Sequence, residues 1–364
     1  MDGVDCALIE SDGHGAKAVG QAVHMAYSPD LRHQIVSAMA EAAAEARPNR
    51  KSKNLNQLER ALTLIHAQAV TQLLAVNGLS HKDVHVVGFH GQTLRHQPAE
   101  GWSWQIGDGA LLANEIDIPV VNDFRRQDVE SGGQGAPLVP IYHQALIQAL
   151  PKSVNASNYP MAIVNIGGVS NVTWIGKAGH MLAFDTGPGN ALIDDWVRQH
   201  TGEPMDQDGR YAAEGKSDLP LLKTWMAEAY FTQIPPKSLD RQAFSVQGLE
   251  RLSLTDGAAT LLDFTVKTIE AAFTHCPERP QHIYICGGGR HNKILMSKLA
   301  RGVIPVDAVE KLGWRGDFLE AEAFGFLACR YLLGLPITFP GTTGTARPLP
   351  GGTLCNPTLG QNKA

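Results

Sequence analysis

Apolar positions along this chain recur with two periods that take turns. Continuous or alternating apolar runs at residues 4–9, 17–27, 84–89, 102–106, 118–121, 161–166, 171–175, 181–184 and 282–285 predict strands. Between them lie stretches with helical spacing. Ser28 and Pro29 supply an N-cap and a first-turn proline for a helix running toward Ala46 and stopped by Pro48. Leu58, Leu62, Ile65, Ala69 and Leu73 share one helical face, and Gly78 closes that helix. Further helices are expected from near Asn190, over 258–274 and over 318–333, and the Gly/Thr/Pro-rich stretch 338–350 reads as loop. Strands alternating with helices predict an α/β fold. The run at 4–9 is odd in this frame: Met1-Asp2-Gly3 before it reads as a turn, with no earlier strand to pair with.

Three strands in the second half run into glycine-rich turns. These are Asn165-Ile-Gly-Gly-Val-Ser-Asn171, Phe184-Asp-Thr-Gly-Pro-Gly-Asn190 and Cys286-Gly-Gly-Gly-Arg-His-Asn292. Glycine lets a backbone approach a phosphate, and consecutive N–H groups in such turns cradle anions, so the three together suggest a nucleotide. The middle turn also carries a carboxylate, Asp185, at its strand end. Beside a phosphate site a carboxylate is awkward unless it binds a metal or takes a proton. The bland alternative is a carboxylate that stabilises the N-terminus of the following helix. The least regular stretch, 122–140, mixes charge, glycine and proline, as a hinge or a binding loop does, and both roles are compatible.

Length and charge narrow the field. At 364 residues two domains around a cleft is the natural prior. A net charge of −5 gives no basic footprint for nucleic acid, and no apolar run approaches the ~20 residues that span a bilayer. A soluble protein with neither nucleic-acid nor membrane partners is expected. Cys6, Cys276, Cys286, Cys329 and Cys355 are scattered without a CxxC pair, which fits a reducing compartment, and no secretory signal is visible. His143, His200 and His291 have no metal-ligand spacing, and no protein metal site is expected.

The order of the glycine turns resembles the second domain of the sugar kinase, heat-shock chaperone and actin superfamily, in which two domains close over ATP. The resemblance is closer at seven motifs: His90-Gly-Gln-Thr93, Gln105-Ile-Gly107, Asp123-Phe-Arg-Arg126, Gly132-Gly-Gln-Gly-Ala-Pro-Leu-Val-Pro140, Asn165-Ile-Gly-Gly168, Phe184-Asp-Thr-Gly-Pro-Gly-Asn190 and Cys286-Gly-Gly-Gly289. Together, in this order and over essentially the whole chain, they are similar to the anhydro-N-acetylmuramic acid kinases.

That resemblance implies a two-domain fold, 1–128 and 129–364, with ATP and sugar in the interdomain cleft. It implies an ATP- and Mg²⁺-dependent reaction in which water opens the 1,6-anhydro ring of anhydro-N-acetylmuramic acid. The γ-phosphoryl group passes to the 6-oxygen, giving N-acetylmuramic acid 6-phosphate and ADP in cytoplasmic cell-wall recycling. It assigns the general base to Asp185, held against the N–H groups of Gly187 and Gly189. ATP is assigned to Met1, Asp2, Gly3, Asn165, Gly167, Gly168, Ser170, Asn171, Gly187, Gly287, Gly288, Gly289 and Asn292. On the sugar side it places His90, Gln92, Thr93, Asp123, Arg125, Gln134 and Glu320. Which of Arg125 and Arg126 meets the lactyl carboxylate, and which pairs with Asp128 or Glu130, stays open. The family also suggests a homodimer.

Family members begin with a strand and Ser-Gly-Thr-Ser-x-Asp-Gly-Val-Asp, of which this chain has Met1-Asp2-Gly3-Val4-Asp5. Two expectations compete: an internal start codon in front of an active enzyme, favoured because the downstream motifs are intact, or a sugar-binding remnant that has lost phosphate transfer.

Overall fold

A computed structural model describes residues 3–45, 53–151, 159–239 and 244–358; the expected roles of Met1 and Asp2 lie outside them. The chain divides into two compact units, residues 1–149 with 318–340 and 344–364, and residues 150–317 with 341–343. The division falls at 149/150, not at 128/129, and the chain after residue 317 returns mainly to the first unit.

In the first unit the opening strand finds its partner downstream. β1 (Gly3–Ser11) and β2 (Ala16–Ala26) form an antiparallel hairpin in register from Gly3↔Ala26 to Ser11↔Ala16, irregular between Cys6 and Leu8. Gly3 is therefore a strand residue, and a Cβ there would stand 2.3 Å from the Met25 carbonyl oxygen. Two small sheets follow. β3 (Val87–Phe89) runs parallel to β6 (Val120–Asn122), and β4 (Gln92–Gln97) pairs antiparallel with β5 (Trp102–Ile106). The strand expected over 84–89 is thus only its last half. β12 (Thr353–Cys355) adds antiparallel to β6, just past the 338–350 stretch and where no strand was expected. The Ser28 hydroxyl accepts from the Leu31 N–H and caps the helix Pro29–Ala44, as the Ser-Pro pair predicts. In Lys53–Val76 the expected face buries Leu58, Leu62, Ala69 and Leu73. The helix Leu319–Leu332 packs on both β1 and β3.

The second unit is built on a five-stranded sheet in the order β11-β10-β7-β8-β9. β7 (Met161–Ile166), β8 (Val169–Ile175) and β9 (Met181–Pro188) form an antiparallel meander, and β10 (His282–Cys286) joins β7 and β11 (Val306–Ala308) in parallel. Met161, Ala162, Ile163 and Val164 are all buried, the continuous apolar run of a strand covered on both faces. The helix Leu254–Ala272 is buried along most of its length and packs against β9, with Leu262, Phe264 and Ile269 in one core with Phe184 and Val164. β9 runs three residues past Asp185, so that carboxylate sits inside a strand and not at its end.

Candidate active site

Register brings the motifs of the second unit together. Cys286 pairs with Asn165, Asn165 with Asn171, and Asn171 with Asp185, so one row across four strands carries one residue from each of the three turns plus Asn171. Directly paired residues point to the same face. Asn165, Asn171 and Asp185 are half-buried where their strands are otherwise largely buried.

The turns themselves lock backbone to backbone. The Gly189 N–H donates to the Gly168 carbonyl (3.0 Å) and the Asn190 N–H to the Gly167 carbonyl (2.7 Å), while the Asn190 side-chain amide reaches the Ile166 carbonyl (3.3 Å). This explains several glycines without any ligand. A Cβ at Gly189 would lie 2.2 Å from the Gly167 oxygen, at Gly287 2.2 Å from Asn165 Oδ1, at Gly289 2.4 Å from the Ile166 side chain and at Gly187 2.6 Å from Thr268. The remaining three are different. A Cβ at Gly167 or Gly168 would meet nothing closer than 3.6 Å, and at Gly288 nothing closer than 3.9 Å. Packing does not demand glycine at these positions, and Gly168 and Gly288 are exposed. They fit a backbone kept bare for a polyanion.

Two of the expected nucleotide contacts are engaged otherwise. Ser170 is fully buried and its hydroxyl donates to the Pro188 carbonyl (3.3 Å). Asn292 caps the helix Lys293–Leu299, its Oδ1 accepting from the Ile294 and Leu295 N–H groups (3.1 and 3.0 Å).

Asp185 is held, but not by the expected groups. Its Oδ2 accepts from the Leu239 N–H (2.7 Å), its own N–H donates to the Lys237 carbonyl (3.0 Å), and its carbonyl accepts from the Tyr230 hydroxyl (2.5 Å). In place of Gly187 and Gly189, the 237–239 segment orients the carboxylate. Nothing in the sequence pattern marks that segment, because its contacts are made by main-chain groups more than forty positions away.

In the first unit His90 and Arg125 form a fixed pair. His90 Nε2 accepts from both Nε and Nη2 of Arg125 (3.1 and 2.9 Å), and Arg125 Nη1 donates to the Gly135 carbonyl (2.7 Å). Burial and the neighbouring guanidinium push the His90 pKa down to about 3, so the imidazole is a neutral acceptor. Its ring lies against Phe324, 4.5 Å between centroids. Arg126 instead meets Asp123 (2.5 Å) at the surface, and Asp123 holds a left-handed backbone, φ 58°. Asp128, expected as a possible arginine partner, is buried and accepts from the Gly135 N–H (2.6 Å), which pins the glycine-rich loop.

The other sugar-side residues are distributed around these. Thr93 Oγ1 accepts from Gln105 (3.3 Å), the Gln92 amide bonds the Thr93 carbonyl, and the Gln134 carbonyl faces His96 Nε2 (2.8 Å). His90, Gln92 and Glu320 line a cavity of about 1050 Å³ in this unit. Glu320 opens onto it and is exposed there, while the surrounding protein atoms desolvate its carboxyl in part. That desolvation raises its pKa, with Arg125 opposing and Asp5 adding to the rise. A smaller recess of about 70 Å³ joins His90 and Asp123 to Gln105, Asn122 and Glu59. Glu59 and Asn122 were not expected; Glu59 accepts from the Gly107 N–H (2.9 Å), a contact that helical periodicity does not announce.

Among the described residues no group of three or more His, Cys, Asp or Glu side chains is arranged to hold a metal, and no helix is long and apolar enough to cross a membrane.

Residues 1–356 match the family described as anhydro-N-acetylmuramic acid kinase. Proteins of that name are similar along nearly the full length. One from Rhizorhabdus wittichii is 46% identical over 359 residues, covering 98% of this chain and 96% of the relative. Those from Paramagnetospirillum magneticum and Rhodospirillum rubrum are 47% and 48% identical, covering 97% of this chain in each case and 96% and 91% of the relatives. With the glycine cradle, the anchored Asp185 and the His90–Arg125 pair in place, this coverage settles the matter: the chain belongs to the anhydro-N-acetylmuramic acid kinase family.

Proposed function

We propose that this chain opens 1,6-anhydro-N-acetylmuramic acid with water and phosphorylates it from ATP in one reaction. The water oxygen bonds to carbon 1 and the bond from carbon 1 to the 6-oxygen breaks. The 6-oxygen takes the γ-phosphoryl group, and the products are N-acetylmuramic acid 6-phosphate and ADP. Asp185 accepts the proton of the attacking water, since a general base is required there and its carboxylate is held by the Leu239 N–H. Gly167, Gly168 and Gly288 receive the phosphates. The observation that carries this reading is that these three glycines have no packing reason to be glycine. Mg²⁺ bound with the nucleotide would supply neutralisation of the charge that develops on the transferred group.

Arg125 is the guanidinium assigned to the lactyl carboxylate, because His90 and the Gly135 carbonyl hold it in a fixed orientation inside the unit, whereas Arg126 lies at the surface with Asp123 and the Thr353 hydroxyl. His90 fixes the plane of Arg125, and Gln92, Thr93, Asp123, Gln134 and Glu320 complete sugar recognition. The five cysteines, none of them in a disulfide among the described residues, fit a reducing cytoplasm. A homodimer, implied by the resemblance alone, is checked by light scattering.

Turnover in ¹⁸O-labelled water tests the reaction. One label per product, on carbon 1 and none in the phosphoryl group, is expected. Label in the phosphate, or an unlabelled phosphorylated product, would overturn the scheme.

A further inference from the structure

We propose that Lys237 is a positioning residue for the reaction: it locks the 237–239 segment onto Asp185 and so sets the direction of that carboxylate. The inference rests on the reading of Asp185 as the base.

Three hydrogen bonds form a closed circuit. Lys237 Nζ donates to the Tyr230 carbonyl (2.8 Å), the Tyr230 hydroxyl donates to the Asp185 carbonyl (2.5 Å), and the Asp185 N–H donates to the Lys237 carbonyl (3.0 Å). The Leu239 N–H that grips Asp185 Oδ2 is two residues further along the same segment. Lys237 is 6% exposed, and its ammonium stands 4.5 Å over the Tyr230 ring and 5.6 Å over that of Phe184, the residue preceding Asp185. His275 Nε2, 3.5 Å from Nζ, bonds the Phe231 carbonyl at 2.8 Å. No carboxylate among the described residues forms an ion pair with Lys237.

A cation in such a place is a poor choice for stability. Burial disfavours the charged form and lowers its pKa to about 8, and an unbranched apolar side chain would fill the same space without that desolvation. What the ammonium provides is direction. It ties the start of the segment to Tyr230, whose hydroxyl is itself on Asp185, so the main chain that orients the base is fixed at two points. A carboxylate released from such a grip still lies in the site but points elsewhere, and small misplacements of a reacting group are costly.

Lys237→Met tests this by kinetics and by amide exchange. The expected result is a kcat lowered by about 10- to 100-fold with KM for ATP within about twofold, faster exchange of the Leu239 amide, and a melting temperature no lower than that of the parent. Parent-like kcat, or parent-like exchange at Leu239, would overturn the proposal. Should Lys237→Met fail to fold, Tyr230→Phe removes a single hydroxyl from the circuit; a lowered kcat at unchanged KM supports the proposal and an unchanged kcat rejects it. Asp185→Asn run alongside separates the two claims. If it retains turnover, the base assignment fails; if it is dead while Lys237→Met is fully active, only the positioning role fails.

Discussion

Replacing Gly168 or Gly288 by alanine separates a ligand's demand for glycine from the protein's own. At Gly168 the new methyl would sit 3.6 Å from the Ala191 Cβ, and at Gly288 3.9 Å from the Asn190 amide nitrogen, both ordinary contacts. Neither backbone is in the left-handed region, so the folded state accepts the substitution while the unfolded chain loses freedom. Each variant should gain about 0.4–1 kcal/mol of stability. Nucleotide affinity should move the other way. A methyl over a phosphate-binding amide displaces a hydrogen bond to a charged group, about 1.5–3 kcal/mol, or roughly 10- to 150-fold in Kd for ATP. Gly189→Ala is the control: its Cβ would stand 2.2 Å from the Gly167 oxygen, backbone against backbone, and the variant should melt well below the parent. Calorimetric titration with a non-hydrolysable ATP analogue, beside thermal unfolding, reads both quantities. If Gly168→Ala and Gly288→Ala melt at or above the parent and bind the analogue equally well, the cradle is not the phosphate site.

Further outcomes follow from other parts of the molecule. His90 and His143 are held neutral by burial, with pKa values lowered from 6.5 to about 3. Between those limits the unfolded chain binds protons that the folded one does not, so stability falls as pH drops through the window, by up to about 1.4 kcal/mol per pH unit for each group. Urea midpoints at pH 7, 6 and 5 should decline in step; a flat series contradicts it. Asp128→Ala removes the acceptor for the Gly135 N–H and should raise KM for the sugar without changing KM for ATP, which initial-rate kinetics resolve. Phe264→Ala, deep in the core of the second unit, should cost about 3–5 kcal/mol in a denaturant titration.

The strongly periodic parts of the fold were legible. The helix Lys53–Val76 announced its buried face, and the β7–β8 hairpin announced itself by two apolar runs around Gly167-Gly168. β12 was not legible, since three residues in a Gly- and Pro-rich tail become a strand only because β6 offers an edge. The site divides in the same way. Asp185 and the glycine turns stand out because their chemistry is local in sequence. Lys237, Tyr230, Glu59 and Asn122 do not, because each acts through contacts that only the fold creates. Ser170 and Asn292 show the converse: polar residues in a motif can be spent on the motif's own architecture.

The central claim is that Asp185 activates the water. Asp185→Asn keeps the shape and the strand but leaves no carboxylate to take the proton. ADP release driven by 1,6-anhydro-N-acetylmuramic acid should then fall by about 10²- to 10⁴-fold, while binding of ATP and of the sugar stays close to that of the parent. Turnover within about threefold of the parent, at unchanged affinities, would contradict the account.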